Sequence, residues 1–352
     1  MSLEKRINAF EKLGFFLSQF STNSIEKKNN ILFNDLFFDI FKTQIKRAKE
    51  YNGWFDDENV LFSLHSWSSI LTNENLQKWT KNYFFKETNP KTIALIFAGN
   101  IPLVGFHDFL SVLISGNKVL AKLSSNDKHF LPLIAKYLEH VEPSFKGFIK
   151  FTDGKLKNFD GAIATGSDNT ARYFDYYFGK YPSIIRKNRN SVAILTGNES
   201  EKELTDLGED IFRYYGLGCR SVSKLFVPLD YNFDKLFKAV YSYQDIIHYN
   251  KYQNNYDYNK AVYLMSLFEL QENGFLMLKE DESYGSPIAT VFYEYYESDE
   301  KLLEKLKNDT EKIQCIVGNI NLPNQVNFGR SQTPHLWDYA DGVDTLKFLN
   351  QF

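Results

Sequence analysis

Residues Thr92–Asn100 read TIALIFAGN. The run Thr92–Phe97 is uncharged and rich in apolar residues, the length and composition of a strand buried on both faces. Ala98-Gly99-Asn100 then turn the chain, and Phe106–Ile114 carries helical spacing. The unit repeats downstream. Lys118–Leu123 reads as a second strand and Phe130–Leu138 as a second helix, with short apolar strands at Phe148–Phe151, Gly161–Ala164 and Val192–Leu195. Alternation at this pace predicts an α/β fold with a mostly parallel sheet covered by helices on both faces.

Upstream, residues 1–90 read as helices joined by polar turns, with amphipathic spacing in Ile7–Phe20 and Ile31–Ala48 and a closing turn at Asn89-Pro90. Downstream of Gly197-Asn198 the pattern restarts. A helix over Glu199–Tyr215 leads through glycines at Gly216 and Gly218 into a strand at Lys224–Val227. Helices follow at Asp234–Tyr243, Asn259–Leu270 and Asp299–Thr310, with strands at Pro287–Tyr293 and Gln314–Gly318. This predicts a helical segment over 1–90, a nucleotide-binding domain over 91–198, a catalytic domain over 199–318 and a C-terminal return segment over 319–352.

Composition narrows the function classes. At 352 residues the chain is long enough for two domains of roughly 100–200 residues each. No apolar stretch approaches the roughly 20 residues of a membrane helix, and the start MSLEKRINAFEKLGFF lacks a signal-peptide pattern. A net charge of -3 with intermixed signs argues against a nucleic-acid partner, and a cytoplasmic location is expected. Two cysteines, Cys219 and Cys315, cannot make a disulfide framework, and the six histidines form no metal-ligand spacing, so no metal is expected.

The chemistry gathers around Tyr214-Tyr215-Gly216-Leu217-Gly218-Cys219-Arg220-Ser221. The two glycines let the backbone turn sharply and approach a ligand. A thiol in such a loop is exposed, and Arg220 beside it would favour the reactive thiolate. The alternative for any lone cysteine is a small buried hydrophobe. Cys315, inside the apolar string Ile313–Val317, takes that reading.

Four segments carry a resemblance. Gly99-Asn100-Ile101-Pro102 resembles an Asn-x-Pro signature, and Gly116-Asn117-Lys118-Val119-Leu120-Ala121-Lys122-Leu123-Ser124-Ser125 resembles Gly-Asn-x-Val-x-x-Lys-Pro-Ser-Glu. Ala164-Thr165-Gly166-Ser167 resembles Phe-Thr-Gly-Ser, and Gly218-Cys219 followed by Lys224–Pro228 resembles a nucleophile loop with its strand. These occur, in this order, in the aldehyde dehydrogenase superfamily. The string Asn327–Leu349, with Tyr339-Ala340-Asp341-Gly342-Val343-Asp344, is similar to its long-chain fatty acyl-CoA reductase branch, the aldehyde-supplying reductases of bacterial bioluminescence.

The resemblance implies a Rossmann-type nucleotide-binding domain with a smaller α/β catalytic domain. It makes Cys219 the nucleophile, with Asn100 and the Cys219 N–H as oxyanion donors. Lys122, Ser124, Ser125, Gly166 and Ser167 become cofactor contacts. By residue type alone, Asn100 equally serves a turn, Lys122 a surface position, and Ser167 a helix cap. Two departures sharpen the expectation. Where the hydrolytic relatives carry Glu in Glu-Leu-Gly-Gly-Lys, this chain has Arg186-Lys187-Asn188-Arg189-Asn190, read as a solvated basic face. Without a base to activate water, an acyl-enzyme persists for reduction. Ser125 replaces the Glu that repels a ribose 2′-phosphate, so NADPH is the expected cofactor, with NADH allowed. Glu282 is a poorly matched candidate for the nicotinamide ribose. The implied substrate is an acyl-CoA or acyl-protein thioester. An acyl-phosphate reductase of the same fold, a cofactor-free acyl-transfer or binding protein, and a homo-oligomeric state stay open.

Overall fold

In a computed structural model of the chain, residues 1–166, 168–320, 322 and 325–352 are described. Strand β1 (Thr92–Ile96) is the centre of the first sheet. It pairs in parallel with β2 (Lys118–Lys122) on one side, and β3 (Ile149–Phe151) extends that side. On the other side lie β4 (Gly161–Thr165) and β5 (Ser183–Arg186), also parallel. The register aligns Ile96 with both Lys122 and Ala164, so three strands end side by side at their carboxyl edge. The order β3-β2-β1-β4-β5 reverses direction between β1 and β4. That reversal opens a crevice beyond the strand ends, the place where open α/β sheets take ligands.

Among the helices of this unit are α1 (Leu3–Leu17), α2 (Asn34–Tyr51), α3 (Asp57–Ile70), α4 (Asn73–Thr80), α5 (Phe106–Ile114), α6 (Phe130–Val141) and α7 (Asp168–Phe178). Side-chain caps at Ser2, Asp56 and Thr72 start three of them. Phe10, Phe16, Phe20, Phe41 and Tyr137 interlock in their shared core, Phe16 stacking on Tyr137 at 4.4 Å. Met1–Lys187 and His335–Phe352 together form this unit.

The second unit, Asn188–Pro334, holds a seven-stranded sheet. Its strands are β6 (Asn190–Ile194), β7 (Val222–Pro228), β8 (Gln271–Glu272), β9 (Met277–Glu280), β10 (Thr290–Tyr296), β11 (Ile313–Val317) and β12 (Gln325–Val326), in the order β12-β11-β6-β7-β10-β9-β8. Its pairings are parallel apart from β8 with β9. Helices α8 (Glu201–Phe212), α9 (Phe233–Ala239), α10 (Asn250–Met265) and α11 (Asp299–Asn308) connect the strands.

The α/β expectation holds, each unit carrying its own mostly parallel sheet. The units divide at Lys187, earlier than the expected cut near 198, because β6 pairs with β7 and β11 of the second sheet. The C-terminal segment is likewise shared, residues 319–334 lying in the second unit and His335–Phe352 in the first. The helix expected through Tyr215 stops at Phe212. Among the described residues no helix is long and apolar enough to cross a membrane.

Candidate active site

The sequence-predicted residues fall into two groups, one in each unit. In the second unit Cys219 sits in a turn just before β7, exposed to solvent. The turn is closed by the Ser221 N–H donating to Gly218 O at 2.9 Å. Before it, three consecutive residues adopt left-handed backbone: Tyr214 (φ 55°), Tyr215 (φ 57°) and Gly216 (φ 75°). Each non-glycine residue so placed costs roughly 1–2 kcal/mol. Burial offsets that cost, since both tyrosines are buried and Tyr215 stacks on Tyr249 at 4.5 Å. The sharp reversal is therefore carried by two tyrosines as well as by Gly216, which the sequence reading had credited to the glycines.

The turn is fastened from below and from the side. Ser191, at the start of β6 and fully buried, donates its hydroxyl to Cys219 O at 2.9 Å. Cys315 on β11 is buried as expected, its Sγ 3.1 Å from the same hydroxyl. Arg220 donates Nε to Ser331 O, and Gln332 Nε2 donates to Ser221 Oγ at 3.2 Å. Asp210 on α8 secures this strap by accepting the N–H groups of Gly329 at 2.6 Å and Ser331 at 2.9 Å. Burial pushes the Asp210 carboxyl up to about 6 despite those donors. Glu282 is exposed, and its carbonyl accepts from the fully buried Lys224 Nζ at 2.8 Å. Desolvation lowers the Lys224 ammonium from its ordinary value.

In the first unit the carboxyl edge of the sheet gathers the other group. Asn100, exposed, follows β1; Lys122, exposed, ends β2; Ser124 and Ser125 follow it; Gly166 follows β4. Ser167 lies outside the described residues. A Cβ on Gly99 would stand 2.4 Å from Ser124 Oγ, so only glycine lets the turn after β1 lie against the turn after β2. Ser124 Oγ accepts the Asn126 N–H at 3.3 Å and Ser124 O the Asp127 N–H at 3.2 Å. Gly166 donates its N–H to Arg186 O at 3.3 Å, and a Cβ there would press Phe174 at 2.9 Å.

One expectation is corrected. Arg186 is not part of a solvated basic face. It is only 4% exposed, and Nη2 meets Asp108 Oδ1 at 2.6 Å and Thr345 Oγ1 at 3.0 Å, with Nη1 on Ala340 O at 2.7 Å. A guanidinium on a parallel strand needs a buried anion, and Asp108 on α5 supplies it. Lys187 and Asn188 are exposed. Sequence reasoning also missed Ser191, Asp127, Asn52 and Ser63, all buried and all bonded to the two turns. Short polar residues beside a strand or in a loop carry no periodic signal of burial. Among the described residues no group of three or more His, Cys, Asp or Glu could hold a metal ion.

These features define an α/β protein of aldehyde dehydrogenase type, its first sheet Rossmann-like and its second bearing an exposed cysteine before a central strand. The chain belongs to the acyl-CoA reductase (LuxC) family, whose model matches residues 39–235. Solved structures share the fold at low identity. An aldehyde dehydrogenase from Physcomitrella patens, in complex with the reaction product succinate, matches with TM-score 0.66 at 11% identity, covering 100% of this chain and 84% of that one. One from Mycobacterium tuberculosis complexed with NAD+ matches with TM-score 0.63 at 12% identity over 90% of this chain and 73% of that one. The NAD+ complex of an aldehyde dehydrogenase from Bacillus cereus matches with TM-score 0.58 at 12% identity over 92% and 73%. No curated protein matches the chain.

Proposed function

We propose that the protein reduces an acyl thioester, an acyl-CoA in the first instance, to an aldehyde through an acyl group carried on Cys219. The observation that carries this reading is the exposed Cys219 on a turn whose carbonyl is pinned by a buried hydroxyl. A strained, over-determined turn of this kind is typical of functional sites.

The Cys219 thiolate attacks the thioester carbonyl, forming a C–S bond and an oxyanion. The family resemblance assigns that oxyanion to the Cys219 N–H and the Asn100 amide, donors worth about 3–4 kcal/mol each. Collapse breaks the bond to CoA, which leaves as thiolate. A nicotinamide cofactor, when bound, would supply the hydride that reduces the acyl carbon. The resulting thiohemiacetal oxyanion re-forms its C=O bond as the C–S bond to Cys219 breaks, releasing aldehyde and restoring the thiolate. Arg186, where hydrolytic relatives hold a carboxylate, is locked to Asp108 and cannot activate water.

The crevice of the first unit fits the cofactor. Its rim carries Asn100, Lys122, Ser124, Ser125 and Gly166 on adjacent strand ends, an exposed cation among small residues. Lys122 would hold the adenosine ribose, and Ser125 admits a 2′-phosphate, which favours NADPH over NADH.

Incubation with radiolabelled acyl-CoA, followed by NADPH, tests the reading. Label should appear on the wild-type protein, be absent from Cys219→Ala, and leave as aldehyde on addition of NADPH. Label that stays on the protein after NADPH points instead to a cofactor-free acyl-transfer protein, and faster NADPH oxidation with acyl phosphate to an acyl-phosphate reductase.

A further inference from the structure

The turn that bears Asn100 is held by three buried side chains from three elements of the first unit. Asn52, at the end of α2, donates Nδ2 to Gly99 O at 3.3 Å. Ser63, inside α3, donates Oγ to Pro102 O at 3.0 Å. Asp127, from the turn after β2, accepts the Leu103 N–H on Oδ2 at 2.8 Å. All three are buried, at 8%, 3% and 7% exposure. Leu103 itself is buried with φ at 58°, a left-handed leucine. Without its acceptor that buried N–H would be left unpaired, beside a backbone already held in a disfavoured conformation.

We infer that Asp127, assisted by Asn52 and Ser63, is a positioning residue for Asn100: the three side chains pin both flanks of Asn100, Gly99 before it and Pro102-Leu103 after it, and so set where its amide stands. This rests on the reading of Asn100 as an oxyanion donor. A carboxylate is costly to bury without a counter-ion, and the Asp127 side chain accepts from a backbone N–H rather than from a cation. A hydrogen-bond acceptor for Leu103 accounts for its presence. Asp127 also closes the Ser124–Asp127 turn, so one side chain ties the turn after β2 to the turn after β1.

The test uses the full-length protein and the rate of Cys219 acylation by acyl-CoA without cofactor, which separates the oxyanion from any effect on the Ser124–Ser125 turn. Asp127→Leu keeps the volume and removes the acceptor; Asp127→Asn keeps an acceptor. Asp127→Leu should slow acylation by about 10- to 100-fold, the usual penalty for a misplaced catalytic group. Asp127→Asn should recover most of the rate. Amide exchange at Leu103 should quicken in the leucine variant and stay near wild type in the asparagine variant. Should Asp127→Leu fail to fold, Ser63→Ala reads the same step from the other side of the turn and should slow it several-fold. Wild-type acylation in the variants that lack an acceptor or donor, with Asn100→Ala slow, overturns this proposal alone. Equal slowing by Asp127→Asn and Asp127→Leu overturns it too. Asn100→Ala acylating at the wild-type rate overturns the oxyanion reading, and this proposal with it.

Discussion

Ser191 donates its single hydroxyl proton to the main-chain carbonyl of Cys219 across 2.9 Å. The hydroxyl oxygen is then free to accept, and Cys315 Sγ at 3.1 Å is the donor that remains. A chain of polar contacts thus runs from the buried Cys315 through Ser191 to the backbone of Cys219. The two thiols of the protein have opposite tasks, one exposed and one spent on support.

Replacing Ser191 by alanine removes the buried hydroxyl that donates to the Cys219 carbonyl and lies against the Cys315 thiol. The expected loss of stability is about 1–3 kcal/mol, read from urea denaturation. Acylation of Cys219 should fall by roughly 10-fold as the turn loosens. Ser191→Thr keeps the hydroxyl and should keep most of the rate. An alanine variant that acylates like wild type would show that the turn holds Cys219 without help.

The buried ion pair of Arg186 with Asp108 makes a separate prediction. Removing one partner strands the other charge in the interior, so Asp108→Ala should cost about 3–5 kcal/mol. Replacing both with apolar residues, Arg186→Met with Asp108→Leu, should cost much less, because no charge is left unpaired. Thermal denaturation of both variants decides it. Equal losses in the single and double variants would mean that the pair contributes through Thr345 and Ala340 instead.

The framework of strands was legible because buried parallel strands write themselves as unbroken apolar runs, as Thr92–Ile96 and Gly161–Thr165 do. Ser183–Arg186 was missed, since its Arg186 reads as surface until Asp108 is known to lie beside it. Glycine turns and motif order single out Cys219 and Asn100 as candidates, and the structure places each on a turn at a strand end. Their supports were not legible. Asp127 sits in Ser124-Ser125-Asn126-Asp127-Lys128, a string that looks solvated, and its burial arises from the turn after β1 packing over it. Long-range burial of a short polar side chain leaves no local trace.

The proposed preference for NADPH rests on Ser125, exposed next to Ser124 and three residues beyond the end of β2 at Lys122. Ser125→Glu places a carboxylate where the relatives that prefer NAD carry one. It should raise KM for NADPH by about 10-fold or more while changing KM for NADH little, through repulsion of the 2′-phosphate. Steady-state kinetics with both cofactors checks this. A parallel change in both constants would remove Ser125 from the ribose site.

The Asp127 carboxyl is pushed up to about 7 by burial, the Leu103 N–H pulling the other way. In the unfolded chain it titrates near 3.9, as free aspartates do (about 3.9). Between those two values the folded protein holds a proton that the unfolded chain has released. Stability therefore falls as pH rises from about 4 to about 7, by at most about 4 kcal/mol at roughly 1.4 kcal/mol per unit, and levels off above. Asp127→Asn has no proton to lose and should escape that decline. The Asp210 carboxyl, raised to about 6, adds a loss of the same sign, but it is common to both proteins and cancels in their difference. Urea denaturation at pH 5 and at about pH 8, a unit above the folded value, should find the asparagine variant gaining on wild type as pH rises. A difference that is the same at both pH values would mean that Asp127 is ionised throughout, with a counter-charge close enough to hold it so.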